Sequence, residues 1–178
     1  VCIDKLTYAA DWHNIPDQIK FYTTDIADEH NCEFVFKKYK PSTVFHFAAE
    51  THVDRSIKDC SQFIHTNVLG TVNLLNLSVK HDIQKFVHVS TDEVYGSIEE
   101  GYFTEKSLYD PKNPYSASKA ALVLLTKCWA LEYAKSKIRV NCICPGVVET
   151  DMTAEFLSSP AMRDMMNFAY PIGRFGTV

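Results

Sequence analysis

Short β-rich runs alternate with longer helical patterns along almost the whole chain. We predict strands at 1–4, 21–24, 43–47, 85–90 and 138–143. We predict helices at about 28–39, 59–80, 115–136 and 160–168. Such alternation is typical of βαβ units, in which the strands form a parallel sheet and helices cover both of its faces. We therefore predict an α/β fold with a doubly wound parallel sheet.

Length and charge narrow the classes of protein that the chain can belong to. With 178 residues, of which 46% are hydrophobic and 22% charged, the chain fits one globular domain. The net charge of -4 and the scattered Lys and Arg residues argue against nucleic-acid binding. Because the sequence has neither a membrane-length apolar run nor a signal-like N-terminus, we expect a cytoplasmic protein without a membrane partner.

The six cysteines stand singly, apart from Cys142 and Cys144. These two have a period of two, which places both on one face of a predicted strand. The sequence contains no C-x-x-C pair and no matching His spacing. We therefore expect reduced, buried thiols rather than disulfides, and no metal site.

Tyr115 and Lys119 lie four residues apart at the start of the helical stretch NPYSASKAALVLLTKCWALEYAK. This spacing places both side chains on one helical face, one turn apart. A neighbouring ammonium and the positive end of a helix dipole favour a phenolate, so we expect the pKa of Tyr115 to be lowered. The pair would then form a general acid/base, although a solvated surface pair has the same spacing.

Three polar residues, Thr91, Asp92 and Glu93, follow the predicted strand KFVHVS. In an open α/β sheet, ligands bind outside the carboxyl ends of the strands. The three side chains would supply a hydroxyl donor, an acid and a base there. The alternative is a local role, as a helix N-cap or an Asx turn.

Four motifs resemble those of nucleotide-sugar 4,6-dehydratases. The best match is the dTDP-glucose 4,6-dehydratase group of the extended short-chain dehydrogenase/reductase superfamily. The motifs are DKLTYA (4–9), FHFAAETHVDRS (45–56), STDEVYG (90–96) and NPYSASKA (113–120). They occur in the right order and cover residues 1–120, about two thirds of the chain. The resemblance implies a Rossmann-like fold, a nucleotide-sugar substrate such as dTDP-glucose, and NAD as cofactor.

From about residue 121 the sequence is more similar to classical short-chain dehydrogenases. The segments that carry this likeness are IRVNCICPGVVETDM (138–152) and PIGRFGT (171–177). An Asn-rich segment ending in Tyr-Gly-Pro, which the dehydratases would lead us to expect, is absent. We therefore expect a hybrid of two related families or a recombined reading frame.

The resemblance also implies a set of cofactor contacts. Asp4 would bind a ribose hydroxyl, Asp25 and Ile26 would lie near the adenine, and Ala48 and Ala49 would let the cofactor approach the backbone. Asp4 and Asp25 could instead be ordinary turn residues. Further contacts are implied for Asn67, Ser90, Tyr115, Lys119, Pro145, Gly146 and Thr150.

The resemblance implies an oxidation, an elimination and a reduction. Tyr115, assisted by Lys119 and Thr91, would take the proton of the sugar 4-hydroxyl. Asp92 would protonate the leaving 6-hydroxyl while Glu93 removes the proton at carbon 5, since elimination needs one acid and one base. In the runner-up, a classical NAD(P)-dependent alcohol/ketone oxidoreductase, Ser90 or Thr91 assists Tyr115 and both carboxylates are bystanders.

Neither end of the sequence shows the features that complete such a fold. None of the six glycines opens a first βα unit, so we expect a partial dinucleotide-binding domain over residues 1–178, truncated at both ends. A third hypothesis is thus a catalytically silent fragment or a binding domain. We also expect a homodimer through the helix carrying Tyr115, although its apolar residues would equally suit core packing.

Overall fold

The structure is a computed structural model that describes residues 1–8, 10–97, 102–169 and 174–177. Ala9 of DKLTYA and residues 171–173 of PIGRFGT lie outside the described residues. No helix in the described ranges is long and apolar enough to cross a membrane.

The described elements follow the alternating order that the sequence predicts. The strands are β1 (Cys2–Asp4), β2 (Phe21–Thr23), β3 (Thr43–His46), β4 (Lys85–Val89), β5 (Arg139–Ile143), β6 (Val148–Glu149) and β7 (Gly176–Thr177). The α-helices are α1 (Glu29–Tyr39), α2 (Val53–Lys58), α3 (Ser61–Phe63), α4 (Thr71–Lys80), α5 (Pro114–Glu132), α6 (Asp151–Leu157) and α7 (Pro160–Ala169). A π-helix spans Ile64–Gly70, and 3₁₀ turns span Trp12–Asn14, Asp92–Tyr95 and Tyr133–Ser136.

All five predicted strands are present, each one residue shorter than predicted. The predicted helix at 59–80 is instead α3, the π-helix and α4 in succession. The helix predicted at 115–136 ends at Glu132 and continues as a 3₁₀ turn. The sequence did not predict α2 or α6, because both are short and begin within the segments FHFAAETHVDRS and IRVNCICPGVVETDM.

Every strand pair in the structure is parallel, as expected for βαβ units. Strands β3, β4 and β5 form the largest sheet, in that order, while β1 pairs with β2 and β6 with β7. In the described residues no hydrogen-bonded ladder joins β1 to β3. Because parallel strands point the same way, the segments that follow β3, β4 and β5 meet at one edge of the sheet.

The two faces of the three-stranded sheet differ in burial. One face buries Phe86 and Val140 against α4 and the end of α5, where Leu74 and Leu75 complete the main core. The opposite face carries Phe45, Phe47 and Ile143, which are 62%, 68% and 52% exposed. This second face is therefore an apolar surface in the part of the chain that the structure describes.

Two histidines lie side by side on the buried face. His46 of β3 pairs in register with His88 of β4, and their ring centroids are 5.0 Å apart. The Nε2 atom of His46 lies 2.7 Å from the Thr71 hydroxyl, whereas neither ring nitrogen of His88 has a hydrogen-bond partner within the described chain. Burial, aided by the Lys119 ammonium, lowers the pKa of His46 to about 3 and that of His88 to about 2. Both imidazoles are thus held neutral.

Helix α5 begins at a well-formed cap, which fixes the position of its first turns. The Asn113 side chain accepts a hydrogen bond from the Ser116 N–H at 2.8 Å, and the Asn113 N–H donates to the Ser116 hydroxyl at 3.3 Å. Pro114 occupies the first helical position, where its missing N–H costs nothing. The NP of NPYSASKA is therefore the start signal that places Tyr115 and Lys119 in consecutive turns.

Candidate active site

The end of β4 and the start of α5 bring the predicted catalytic residues together. Ser90 alone separates Thr91 from the end of β4. The Thr91 hydroxyl donates to the Asp92 carboxylate at 3.5 Å and also interacts with the Tyr115 phenol. The same hydroxyl accepts the Glu93 N–H at 3.3 Å and so caps the 3₁₀ turn Asp92–Tyr95. The capping role considered from the sequence is therefore present, and Thr91 contacts Tyr115 as well.

The expected lowering of the Tyr115 pKa is wrong for this structure. Tyr115 is only 7% exposed, and its burial raises the pKa of the phenol. The hydrogen bond from Thr91 favours the phenolate, but the carboxylates of Glu93 and Asp92 oppose it. Helical spacing showed that Lys119 is one turn away, but it showed neither the burial nor the two carboxylates that approach across the sheet edge.

Lys119 is 3% exposed, and its ammonium is hydrogen-bonded rather than solvated. Its Nζ atom donates to the Val89 carbonyl at 2.9 Å, at the last residue of β4. Burial lowers the pKa of Lys119 to about 8, while the nearby Cys142 and Cys144 thiols act in the opposite direction. The lysine therefore lies within reach of proton exchange near neutral pH. A solvated surface pair with Tyr115 is excluded.

The adjacent carboxyl groups of Asp92 and Glu93 occupy different environments. Asp92 is half-buried and Glu93 is exposed. Burial raises the pKa of Asp92, and the negative charge of Glu93 adds to this effect. The Glu93 carboxylate instead reaches the Asn113 side-chain amide at 3.5 Å. Asp92 is thus the carboxyl group that holds a proton more readily.

Asn67 lies in the π-helix and is 1% exposed, so a solvent-facing position is excluded. Its side-chain oxygen accepts the Glu50 N–H at 2.8 Å, and its amide donates to the Glu50 carbonyl at 3.1 Å. The amide also donates to the Ser118 hydroxyl at 2.9 Å, and that hydroxyl donates to the Tyr115 carbonyl. Asn67 therefore ties the segment after β3 to the first turn of α5. Glu50 and Ser118 were missed because neither residue has a pattern of its own.

Replacing Asn67 with Ala is expected to lower the free energy of unfolding by about 2 kcal/mol, since it leaves a buried backbone N–H and C=O without partners. Urea unfolding of the purified protein measures this change. Asn76→Ala, on the exposed side of α4, is the matched control and should change stability little. Equal stability of the two variants would contradict the proposed bridging role.

The two aspartates expected to contact adenosine both have local partners. Asp4, exposed at the end of β1, accepts the Leu6 N–H at 2.7 Å. Asp25 follows β2 and lies 2.6 Å from the Lys5 ammonium, and it accepts the Ala27 N–H at 2.9 Å. Burial alone would raise the pKa of Asp25, but these two hydrogen bonds outweigh it and the pKa is lowered. The Asp25 carboxylate is therefore held in its ionised form, and hydrogen bonds orient both side chains.

The other residues expected near the cofactor in this part of the chain are Ile26, Ala48 and Ala49. The Ile26 side chain is 5% exposed and packs so closely on Gly70 that a Cβ there would lie 2.5 Å from Ile26 Cγ1. Its side chain is thus part of the core. Ala48 and Ala49 follow β3 and are half-buried, and Ala48 packs against the main core.

The ends of β4 and β5 are linked by backbone hydrogen bonds. Ser90 N–H donates to the Ile143 carbonyl at 2.7 Å, and Asp92 N–H donates to the Pro145 carbonyl at 3.1 Å. Pro145 and Gly146 therefore lie beside the tripeptide Thr91-Asp92-Glu93. Thr150 is the N-cap of α6, a local role that the sequence did not predict.

Two motifs far apart in sequence meet on the other side of the site. The Arg55 guanidinium stacks on the Tyr8 ring with its carbon 3.8 Å from the ring centroid. The His52 ring lies 5.7 Å from the same tyrosine. DKLTYA and AETHVDRS therefore form one surface, which sequence order alone does not reveal.

Among the described residues, no group of three or more His, Cys, Asp or Glu side chains is arranged to hold a metal ion.

A family model of GDP-mannose 4,6-dehydratases matches residues 3–157. The chain belongs to this family. The match runs past residue 120, where the likeness to dehydratases was expected to end, and includes the segment 138–152.

Two similar proteins are named dTDP-glucose 4,6-dehydratases, which agrees with the family match. The chain is 40% identical over 158 residues to a dTDP-glucose 4,6-dehydratase of Neisseria meningitidis serogroup B, covering 80% of this chain and 44% of the relative. A Streptomyces antibioticus dTDP-glucose 4,6-dehydratase is 48% identical over 136 residues, covering 75% and 39%. The chain thus spans less than half the length of these relatives.

Two solved structures share the fold of this chain. A dTDP-glucose 4,6-dehydratase from Streptomyces venezuelae with NAD bound has a TM-score of 0.68 at 40% identity, covering 74% of this chain and 42% of that one. A UDP-glucose 4-epimerase from Thermus thermophilus in complex with NAD has a TM-score of 0.70 at 28% identity, covering 82% and 44%. The Rossmann-like α/β fold predicted from the sequence is confirmed.

Proposed function

We propose that this chain carries the catalytic residues of a nucleotide-sugar 4,6-dehydratase that acts on a dTDP-glucose-like substrate and uses NAD. One observation carries the proposal: a half-buried carboxyl group and an exposed carboxylate, Asp92 and Glu93, stand beside the Tyr115 phenol. A simple dehydrogenase has no step that uses such a pair. The names of the relatives support the same reaction.

The residues present fit an adenosine-containing cofactor. Asp4 offers an exposed carboxylate at a strand end, which suits a ribose hydroxyl and disfavours a 2′-phosphate. Ala48 and Ala49 leave room against the backbone after β3. The Thr66 hydroxyl is buried without a hydrogen-bond partner in the described part of the chain, so it is available to a ligand. Bound NAD would supply the hydride acceptor and return the hydride after elimination.

Tyr115 is proposed to take the proton of the sugar 4-hydroxyl. The nearby Thr91 hydroxyl favours the phenolate form of Tyr115, and the buried Lys119 ammonium adds a positive charge in the next turn. The raised pKa of Asp92 also favours the phenolate of Tyr115, because a protonated Asp92 carries no charge that would repel it. The acid for elimination and the base for oxidation are thus electrostatically coupled.

In the elimination step the two carboxyl groups have different roles, one as acid and one as base. Asp92, which holds its proton more readily, donates it to the departing 6-hydroxyl, and water leaves. Glu93, which is exposed, takes the proton at carbon 5. The electron pair of that C–H bond forms the double bond as the C–O bond breaks, so the charges balance.

A classical short-chain alcohol/ketone oxidoreductase is the second candidate. The hydrogen bond between Thr91 and Tyr115, with Lys119 one turn away, is sufficient for that simpler reaction. The two functions differ in whether the carboxylates matter. Loss of water from dTDP-glucose, followed by mass spectrometry, should disappear in Asp92→Asn and Glu93→Gln if the dehydratase proposal is correct. Unchanged water loss in both variants would refute it.

NAD binding is tested separately, by calorimetric titration of the protein and of Asp4→Ala. We expect the dissociation constant to rise by about tenfold, the loss expected for a charge-assisted hydrogen bond. Asp17→Ala, at an exposed position before β2, is the control and should bind NAD unchanged. Equal affinity of wild type and Asp4→Ala for NAD would show that Asp4 does not contribute to NAD binding.

We further propose that residues 1–178 act as a single NAD-binding domain and that the protein forms a homodimer through α5. An apolar stripe runs along the exposed side of this helix at helical spacing. It consists of Ala117, Ala121, Leu124, Cys128 and Leu131. Leu124 is 51% and Leu131 81% exposed, which is unusual for leucines of a long helix and supports a covered face.

A further inference from the structure

Three aromatic rings pack together directly after the tripeptide Thr91-Asp92-Glu93. Tyr95, the last residue of the 3₁₀ turn, lies on Phe103 with ring centroids 5.3 Å apart and on Tyr109 with centroids 5.4 Å apart. The interplanar angles are 23° and 26°, so both contacts are stacked rather than edge-to-face. We call these three residues the aromatic stack. Both partners of Tyr95 belong to the segment 102–113, which leads to the start of α5.

The same segment contacts the backbone on either side of Tyr95. The Asp110 N–H donates to the Val94 carbonyl at 3.0 Å. Gly96 has a φ of +83°, and a Cβ at this position would collide with the Asp110 carbonyl oxygen. Tyr95 and both of its neighbours therefore contact one segment, through two stacked rings, a hydrogen bond and a close backbone approach.

The two carboxyl groups of the turn are held in different ways. The Asp92 N–H donates to the Pro145 carbonyl at 3.1 Å, so Asp92 is anchored to the chain that follows β5. The Glu93 carboxylate is exposed, and its contact with the Asn113 amide is long at 3.5 Å. The position of Glu93 therefore depends on how the residues that follow it in the turn are held.

Those following residues are anchored on two sides. Val94 is fully buried and packs with Ala120 and Val123 of α5. Tyr95 packs against the same cluster and carries both contacts of the aromatic stack. Because the hydrogen-bond geometry of a short 3₁₀ turn is poor, such packing contacts decide where the turn lies.

We propose that Tyr95 is a positioning residue, whose aromatic stack holds Glu93 in the place from which it takes the proton at carbon 5. This inference rests on the proposed dehydratase function, because it concerns the base of the elimination. Tyr95 acts through the backbone of the turn and touches no reacting atom. Tyr115 is held separately, by the capped start of α5. Loss of the stack should therefore impair the elimination and spare the oxidation.

Tyr95→Leu tests the proposal, because it removes the ring and keeps an apolar side chain. With NAD and dTDP-glucose we expect water release to slow by about tenfold at an unchanged KM, since a catalytic group displaced by ~1 Å can cost about a hundredfold in rate. In a single turnover NADH should still form at the wild-type rate and then accumulate. Tyr95→Phe keeps the stack and should restore wild-type water release. Leu108→Ala, at an 87% exposed position of the same segment, is the matched control and should behave as the wild type.

Hydrogen exchange followed by mass spectrometry tests the stack without any reaction. The peptide that contains the Asp110 N–H should exchange about tenfold faster in Tyr95→Leu than in Tyr95→Phe, because the stack protects the bond to the Val94 carbonyl. A peptide from the middle of α5 should exchange alike in both variants.

Three results would overturn the role of Tyr95 alone. They are wild-type water release in Tyr95→Leu, equal exchange at Asp110 in both variants, and a fall of NADH formation and water release by the same factor, which a general loss of folded protein would cause. A wild type that forms NADH without releasing water would instead contradict the proposed function, and the role of Tyr95 would fall with it.

Discussion

Lowering the pH from 7 to 5 is expected to reduce the free energy of unfolding by about 2 kcal/mol for each of His46 and His88. Both imidazoles are buried and neutral in the folded protein, with pKa values of about 3 and about 2. In the unfolded chain both regain an ordinary pKa near 6.5, so the unfolded state takes up protons that the folded state cannot. The contribution of this pair to the free energy of unfolding is therefore fully present above pH 6.5 and is lost as the pH falls toward 3.

Urea unfolding at pH 7, 6 and 5 measures the effect, and His88→Leu isolates one member of the pair. This variant removes a ring whose nitrogens have no hydrogen-bond partner in the described residues, so it should fold and lose about half of the pH dependence. Depressed carboxylates such as Glu33, whose pKa Lys80 and Lys37 hold at about 2, titrate below this window.

His13→Ala is the control for the acid-stability experiment, because its imidazole is 95% exposed. The control should leave the slope of stability against pH unchanged. A slope in His88→Leu equal to that of the wild type would mean that the buried histidine does not stay neutral. The Lys119 ammonium, which faces both rings from α5, is present in all three proteins and cancels in the comparison.

The strands could be predicted because each is a short β-rich run whose sequence neighbours end it clearly. That Thr91, Asp92 and Tyr115 lie close together could be predicted for a related reason. The first two follow the end of β4 and the third stands at a helix start, and parallel topology brings such points together. Which residues of neighbouring strands lie opposite each other could not be predicted. The contact of His46 with His88 depends on strand register, which no local pattern specifies.

Electrostatics was the least predictable property of the site. The spacing of Tyr115 and Lys119 is a local fact and was correct, but the Tyr115 pKa depends on burial and on carboxylates from another element. A sequence gives the groups that titrate, while the fold decides which of them meet.

Tyr115→Phe is expected to lower turnover of dTDP-glucose by about a thousandfold, within the range for removal of a positioned acid/base. The ring should stay in place, since its edge-to-face contact with Phe63, with centroids 6.4 Å apart, does not involve the hydroxyl. NAD affinity, measured by calorimetry, should therefore change little. Tyr109→Phe removes a phenol outside the site and is the control, with wild-type turnover expected.

Single-turnover kinetics with bound NAD separates the proposed roles. If Tyr115 removes the 4-hydroxyl proton, Tyr115→Phe should block the rise in NADH absorbance, because hydride and proton leave the sugar together. Asp92→Asn and Glu93→Gln should still reduce NAD but should not release water, so NADH should accumulate in them. Normal NADH formation in Tyr115→Phe would show that another group accepts the proton, and the buried Lys119, with its pKa near 8, would be the first to replace next.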